Sequence, residues 1–194
     1  MPKILRILGL LLILALLPSC AAVVVGGAAA AVGAAHDRRS IGTVIDDTNI
    51  ELTAFDSINK DKELALKNNV GVVAYNGVML LIGEVRTQEL LDRAIARTSG
   101  IEGVKRVVNE ISIEEPTGFG QSARDRWYTI RAKTALLDIV DLREFDPTRV
   151  NVTTQNAKVY LMGLVTREES DRVVEIVRGI PGVERVVKVF EYID

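Results

Sequence analysis

Cysteine and histidine are almost missing from this 194-residue chain, which has one of each. A single Cys excludes an intrachain disulfide framework, and with His36 as the only imidazole it also excludes a His/Cys metal cage. Positive charge is not in excess. The 24 basic and 26 acidic side chains leave a formal charge of −2, so nothing drives the chain toward nucleic acid. Aromatics make up only 5% of the residues, with a single Trp. What is abundant is aliphatic: 48% of residues are hydrophobic, enough for a packed core and against overall disorder. The length suits one ordinary domain or two small ones, not a large multidomain enzyme.

The first nineteen residues have the pattern of a secretory signal. Lys3 and Arg6 precede an apolar run from Ile7 to Leu17, too short for the roughly 20 residues of a membrane span. Leu17-Pro18-Ser19-Cys20 resembles the bacterial lipobox. That resemblance implies cleavage before Cys20 and acylation of its thiol and new amino group. Several acyl chains would anchor the protein stably, at about 0.8 kcal/mol per buried methylene. Ala21 follows the Cys where an Asp would resemble the inner-membrane retention signal, which favours export to the outer membrane. Residues 20–45 are expected to form a lipidated tether, and 21–35 contain only Ala, Val and Gly, a poor helix composition.

The remainder is a repeat. Val70-x-Val72 matches Val150-x-Val152, Asn76 matches Asn156, and Leu81-x-Gly83-x-Val85 matches Leu161-x-Gly163-x-Val165. Gly100-Ile101-x-Gly103-Val104-x-Arg106-Val107-Val108 likewise matches Gly179-Ile180-x-Gly182-Val183-x-Arg185-Val186-Val187. Two copies make a tandem duplication rather than a solenoid. Each copy predicts a helix, a hairpin of β-branched strands, an amphipathic helix and a last strand, the order αββαβ. The fold class is therefore α/β (α+β): two modules, each a three-stranded mixed sheet with both helices on one face. Asn76-Gly77 is a strong hairpin turn, whereas Asn156-Ala157 is a weaker one because Ala resists positive φ. The boundaries are 46–115 and 122–194, joined by a linker at 116–121. Modules this small bury limited core, so they are expected to pack on each other.

The pattern V-x-V-x(3)-N-G/A-x-V-x-L-x-G-x-V, then a helix, then G-I-x-G-V-x-R-V-V, resembles the BON domain. The chain from Cys20 onward is similar to the dual-BON outer-membrane lipoproteins of Gram-negative bacteria. Asp37-Arg38-Arg39-Ser40-Ile41-Gly42 followed by Asp46-Asp47 fits their linker, and Leu161-Met162-Gly163-Leu164-Val165-Thr166 fits their second domain. The resemblance implies attachment to the outer membrane facing the periplasm, phospholipid binding, and a role in envelope integrity.

No catalytic constellation stands out. Gly118-x-Gly120-x-x-Ala123 matches a dinucleotide fingerprint, but Asp141, at the spacing of the ribose-binding acid, falls at the end of a helix rather than of a parallel strand. His36 has no partner placed by the sequence, and Ser40 and Thr43 lack a base. Asp46-Asp47, Glu114-Glu115 and Glu168-Glu169 are expected to be solvated faces or helix starts, and Asn151-Val152-Thr153 a coincidental glycosylation pattern. The protein is expected to be no enzyme and to carry no cofactor or metal.

The modules differ in charge: residues 46–115 hold 8 basic and 13 acidic groups, residues 122–194 hold 12 of each. Within the window 124–133 of copy two, Arg124, Arg126, Arg131 and Lys133 oppose Asp125 alone, and Trp127 stands among them. Helical spacing predicts that Ile130, Thr134 and Leu137 face the sheet, with Trp127 at the margin and Leu136, Ile139 and Val140 toward solvent. Trp127 is then either a core residue covered by Arg stems or an aromatic anchor among lipid head groups. The family resemblance favours the second. On it, the expected phospholipid site is Trp127, Arg124, Arg131, Lys133 and Leu137, with Cys20 the lipid attachment. The expected partners are the inner leaflet of the outer membrane and its anionic phospholipids, phosphatidylglycerol and cardiolipin. The alternative is an adaptor whose acidic first module docks an outer-membrane partner such as the β-barrel assembly machinery.

Overall fold

In the computed structural model, residues 37–194 are described; the signal segment 1–19, Cys20 and the tether through His36 lie outside the described residues. The described chain, Asp37–Asp194, is one compact unit. It runs α1 (Ile41–Asn59), α2 (Lys62–Lys67), β1 (Asn69–Tyr75), β2 (Val78–Val85), α3 (Gln88–Thr98), β3 (Arg106–Ile113), α4 (Phe119–Leu136), a short 3-10 turn (Pro147–Arg149), β4 (Val150–Gln155), β5 (Lys158–Val165), α5 (Arg167–Arg178) and β6 (Arg185–Tyr192). α1 opens inside the stretch assigned to the tether, and α4 opens inside the linker. Short α2 has no counterpart in the αββαβ plan, and Asp61 caps its first turn.

Each sheet has three strands in sequence order, an antiparallel hairpin followed by a parallel pair. The central strands β2 and β5 are almost wholly apolar because both of their faces are covered. Met79, Leu81 and Val85 point to the helices of module one, and Val159, Leu161 and Val165 to those of module two. The intervening Val78, Leu80, Ile82, Tyr160 and Met162 meet in a third cluster, where sheet packs on sheet. The layers are thus helices, sheet, sheet, helices, and the two modules bury each other's second face. Between the sheets, the Glu84 carboxylate is 1% exposed and accepts from Asn69, Gln155 and the Thr117 hydroxyl, tying both modules and the linker together. Arg185 of module two donates to Glu110 of module one at the same seam.

The repeated glycine of L-x-G-x-V has a steric cause. A Cβ on Gly83 would lie 1.7 Å from the Asn69 carbonyl oxygen, and one on Gly163 would lie 2.6 Å from that of Arg149. The chain entering each first strand crosses there, so only hydrogen fits.

One expectation about carboxylates is corrected. Asp47 is no solvated residue: it is 3% exposed and accepts the amides of Asn76 and Gly77, both at 2.7 Å. Asp125 does the same for Asn156 and Ala157, at 2.8 and 2.9 Å. One acid on the first helix of each module therefore clamps its hairpin turn. This explains how Asn156-Ala157 holds the left-handed backbone, with φ of 50° and 57°, that Ala disfavours. Glu169, expected at a helix start, is there and is buried. It completes a capping box with Thr166 at the start of α5, as the helix-start reading requires, and takes two hydrogen bonds from Arg38. Burial alone would raise its pKa, but Arg38 and the Thr166 amide hold it below the usual value.

Candidate functional site

The surface of interest is α4. Its rotation is fixed from below: Asp125 reaches into the hairpin turn, while Ala132 and Leu136 are buried at 0% and 1% exposure. The predicted inward stripe is therefore turned outward. Ile130 is 58% and Leu137 63% exposed, and Thr134 is exposed with them. Leu136 and Ile139, expected outside, are in the core, whereas Val140 is exposed as expected. The cause of the error is physical. The helix is only weakly amphipathic, and a buried Asp fixes its orientation, which a hydrophobicity wheel assigns to the wrong face.

Trp127 is 47% exposed. Its ring edges against Tyr128 with centroids 5.2 Å apart, and the Arg131 guanidinium lies 4.9 Å from its centroid. Tyr128 packs inward on the core and supports the indole edge-on, with the Arg131 guanidinium over the ring. At 100° per residue, Phe119, Trp127, Ile130, Thr134 and Leu137 fall within an arc of about 80°. Phe119 is 91% exposed. Arg124 and Arg131 border the arc on one side, Arg126 and Lys133 on the other. Arg124 is held by Gln121, whose own amide donates to Asp125, so the turn clamp also orders the first basic side chain.

All five residues expected to meet phospholipid thus lie on the exposed side of one helix: Trp127, Arg124, Arg131, Lys133 and Leu137. Phe119, Ile130 and Arg126 join them. The signal for Ile130 was present, three residues after Trp127, but it was assigned to the core. Ser40 has a structural role, capping α1 through the Thr43 amide. Asp141 pairs with Arg172 on the surface. Among the described residues there is no cluster of His, Cys, Asp or Glu able to hold a metal ion, and no helix long and apolar enough to cross a membrane.

The strongly perturbed groups lie outside α4, although Tyr75 lines a cleft beside its Lys133. Asp61 is brought down to about 2, chiefly by the Arg93 guanidinium against the opposing effect of burial. Tyr75 is pushed up to about 12 by burial and by the neighbouring Asp37. Arg39 stacks on the Tyr75 ring at 3.7 Å and pairs with Asp37 and Asp47. With Arg38 on Glu169 and on the Leu164 carbonyl, residues 37–39 fasten the start of α1 to module two.

Two three-stranded mixed sheets, each with its helices on one side, repeated in tandem, define the class, and the family model of the BON domain matches residues 46–115 and 130–194. The chain belongs to the BON family. It is 37% identical over 160 residues to the outer membrane lipoprotein DolP of Haemophilus influenzae, covering 82% of this chain and 81% of that protein. It is 36% identical over 157 residues to a 21 kDa hemolysin of Actinobacillus pleuropneumoniae, covering 81% and 79%. Among solved structures, CdsD, a structural protein of the type III secretion system of Chlamydia trachomatis, aligns at 13% identity and a TM-score of 0.30, covering 74% of this chain and 92% of that one.

Proposed function

We propose that this protein is a non-catalytic, lipid-anchored component of the outer membrane that binds anionic phospholipid through α4 and supports envelope integrity. The name of the Haemophilus influenzae relative and the lipobox-like Cys20 support the location, with the two modules facing the periplasm. One observation carries the lipid contact: the exposed stripe of Trp127, Ile130 and Leu137 bordered by four basic side chains. An apolar helical face with a Trp and basic margins is the composition that settles at a head-group boundary. Each basic residue adds about 1 kcal/mol near an anionic surface.

Because Asp37–Asp194 contains all three apolar clusters, a soluble chain starting at Asp37 keeps the fold and lacks the anchor. It should sediment with phosphatidylglycerol or cardiolipin vesicles. Trp127→Glu should stay folded, since half the ring is already in water, and lose binding at least about tenfold, the effect of 1.4 kcal/mol. Equal binding by this variant refutes the site, and binding indifferent to salt refutes its electrostatic part.

A second reading has its own observation. α1 exposes Ile41, Ile45, Leu52 and Phe55 along one face beside Asp46 and Asp56. A basic-flanked helix of an outer-membrane protein, such as a component of the β-barrel assembly machinery, would complement it. Failure of the soluble chain to pellet with protein-free vesicles would favour this adaptor.

A further inference from the structure

We propose that α1 of one copy of this chain packs on α4 of a second copy, so that the protein associates with itself head to tail through two different faces. The inference goes beyond the lipid and adaptor readings and rests on neither.

The spacing of exposed residues is the same on the two helices. Ile41, Ile45, Thr48, Leu52 and Phe55 of α1 are all exposed and recur at alternating steps of four and three residues. Ala123, Trp127, Ile130, Thr134 and Leu137 of α4 are exposed and recur at the same alternating steps. That is the spacing of a coiled-coil seam, a narrow stripe that fits one other helix. With the helices antiparallel, each position of one stripe meets a position of the other. Ile41 then faces Leu137 of the second copy, and Leu52 faces its Trp127. Bulk meets a small side chain where Phe55 faces Ala123 and where Thr48 faces Ile130.

Charge selects this pairing over the alternatives. Asp46, Glu51 and Asp56 stand beside the stripe of α1, and in the same register Arg131, Arg126 and Arg124 of the second copy fall within two residues of their levels. Asp46 and Glu102 also line a cleft of about 500 Å³ with Asn49 and Thr53, and no cation lines it. Among the described residues neither of these acids has an ion pair, so the cleft can take the guanidinium of Arg131. Asp56 has an exposed pair with Lys60, which contributes little and is readily exchanged. Pairing α1 with α1 would set Asp against Asp, and α4 with α4 would set Arg against Arg; only the mixed pair is complementary.

Position decides the form of the assembly. α1 and α4 lie in opposite outer layers of the fold, one over each sheet, so they cannot meet within one copy. Each copy therefore offers one face of each kind, and the contact is heterologous, giving an open stack rather than a closed dimer. One helix pair buries less than the roughly 1,600 Å² of a standard interface, so the association is weak and reversible.

The test is sedimentation velocity of the soluble chain from Asp37, at about 10 µM to about 1 mM. The mean sedimentation coefficient should rise with concentration and fall back as salt is added. The emission of Trp127, the only Trp, should move to shorter wavelength over the same range as Leu52 covers it. Leu52→Arg and Ile130→Glu alter side chains that are 62% and 58% exposed, so both should fold, with an unchanged melting temperature as the control. Each variant alone should stay monomeric, because each has lost one of the two faces. Mixed in equal amounts, they restore one good contact, α4 of Leu52→Arg on α1 of Ile130→Glu, and association should stop at a heterodimer. A wild-type chain that is monomeric throughout overturns the proposal, as does a mixture that stays monomeric. Association by either variant alone means that like faces pair, and overturns the head-to-tail contact. Association indifferent to salt overturns the charge matching that selects the second copy.

Discussion

Changing Asp125 to Asn alters one atom and should cost the second module much of its stability. The carboxylate is 4% exposed and accepts from the Asn156 amide at 2.8 Å, the Ala157 amide at 2.9 Å and the Gln121 side chain at 2.9 Å. A carboxamide keeps the shape but has one acceptor oxygen and one donor nitrogen. Whichever way it turns, one backbone N–H of the hairpin faces a donor. Hydrogen bonds to a charged group contribute about 1.5–3 kcal/mol, and a buried unsatisfied amide costs about 1–3 kcal/mol; these overlap, so about 3 kcal/mol is expected. For a chain of this size that lowers the melting temperature by roughly 6–12 °C. The clamp also holds Ala157 at φ 57°, a conformation costing an L-residue about 1–2 kcal/mol, which glycine avoids. Ala157→Gly should therefore return about 1 kcal/mol to the Asp125→Asn background. Urea titration of the chain from Asp37, followed by circular dichroism, measures both. A loss below 0.5 kcal/mol for Asp125→Asn would show that the turn holds without its carboxylate.

The remaining expectations concern the seam and the acid response. Leu80 is 0% exposed between the two sheets, so Leu80→Ala should cost about 3 kcal/mol and shift one shared unfolding transition. Two separated transitions in calorimetry would mean that the modules are not coupled through this cluster. Asp61 has a folded pKa of about 2, below its unfolded value near 3.8, chiefly through Arg93. Its contribution is then complete above about pH 4 and is lost as pH falls toward 2. Asp61→Asn should be less stable than wild type at pH 6 and show a flatter stability profile between pH 4 and 2; parallel profiles would count against the ion pair.

Much of this architecture was legible because period and punctuation agree. The strands follow the β-branched runs within a residue or two, and the paired glycines before β3 and β6 mark the turns. The packing of the modules on each other was also foreseeable, since units of this size bury too little core alone. What escaped was everything controlled by a single carboxylate. Asp47 and Asp125 look like surface acids on helices, and only the three-dimensional return of each hairpin brings amides to them. Asp125 sets the rotation of α4, so missing it reversed the helix and sent Ile130 and Leu137 to the core. Trp127 was correctly placed near a margin because it lies next to both faces on the wheel.

The two first helices also repeat, at a spacing of 78 residues that the strand repeat hides. Asp47 corresponds to Asp125, and the buried Ile50, Ala54 and Ile58 to the inward Tyr128, Ala132 and Leu136. The exposed stripe is shared in part: Ile41 stands where Phe119 does and Leu52 where Ile130 does, but Asn49, Asp56 and Asn59 stand where Trp127, Thr134 and Leu137 do. The borders are not shared. Arg124, Arg126, Arg131 and Lys133 stand at the positions of Asp46, Thr48, Thr53 and Phe55, so every basic residue of the second helix replaces an acidic, neutral or apolar one of the first. The duplication kept an outward apolar face twice and changed the charge around it once. On the proposed lipid reading, an anionic surface would favour only the second face, because it would repel the carboxylates beside the first. Placing Arg at the positions of Asp46, Thr48 and Thr53 in α1, with Phe55 left in place, should therefore give the first module vesicle binding of its own, since Ile41, Ile45, Leu52 and Phe55 already face outward. Failure of that chimera, properly folded, would mean that the stripe on α4 needs something α1 lacks, for which the indole of Trp127 in place of Asn49 is the leading difference.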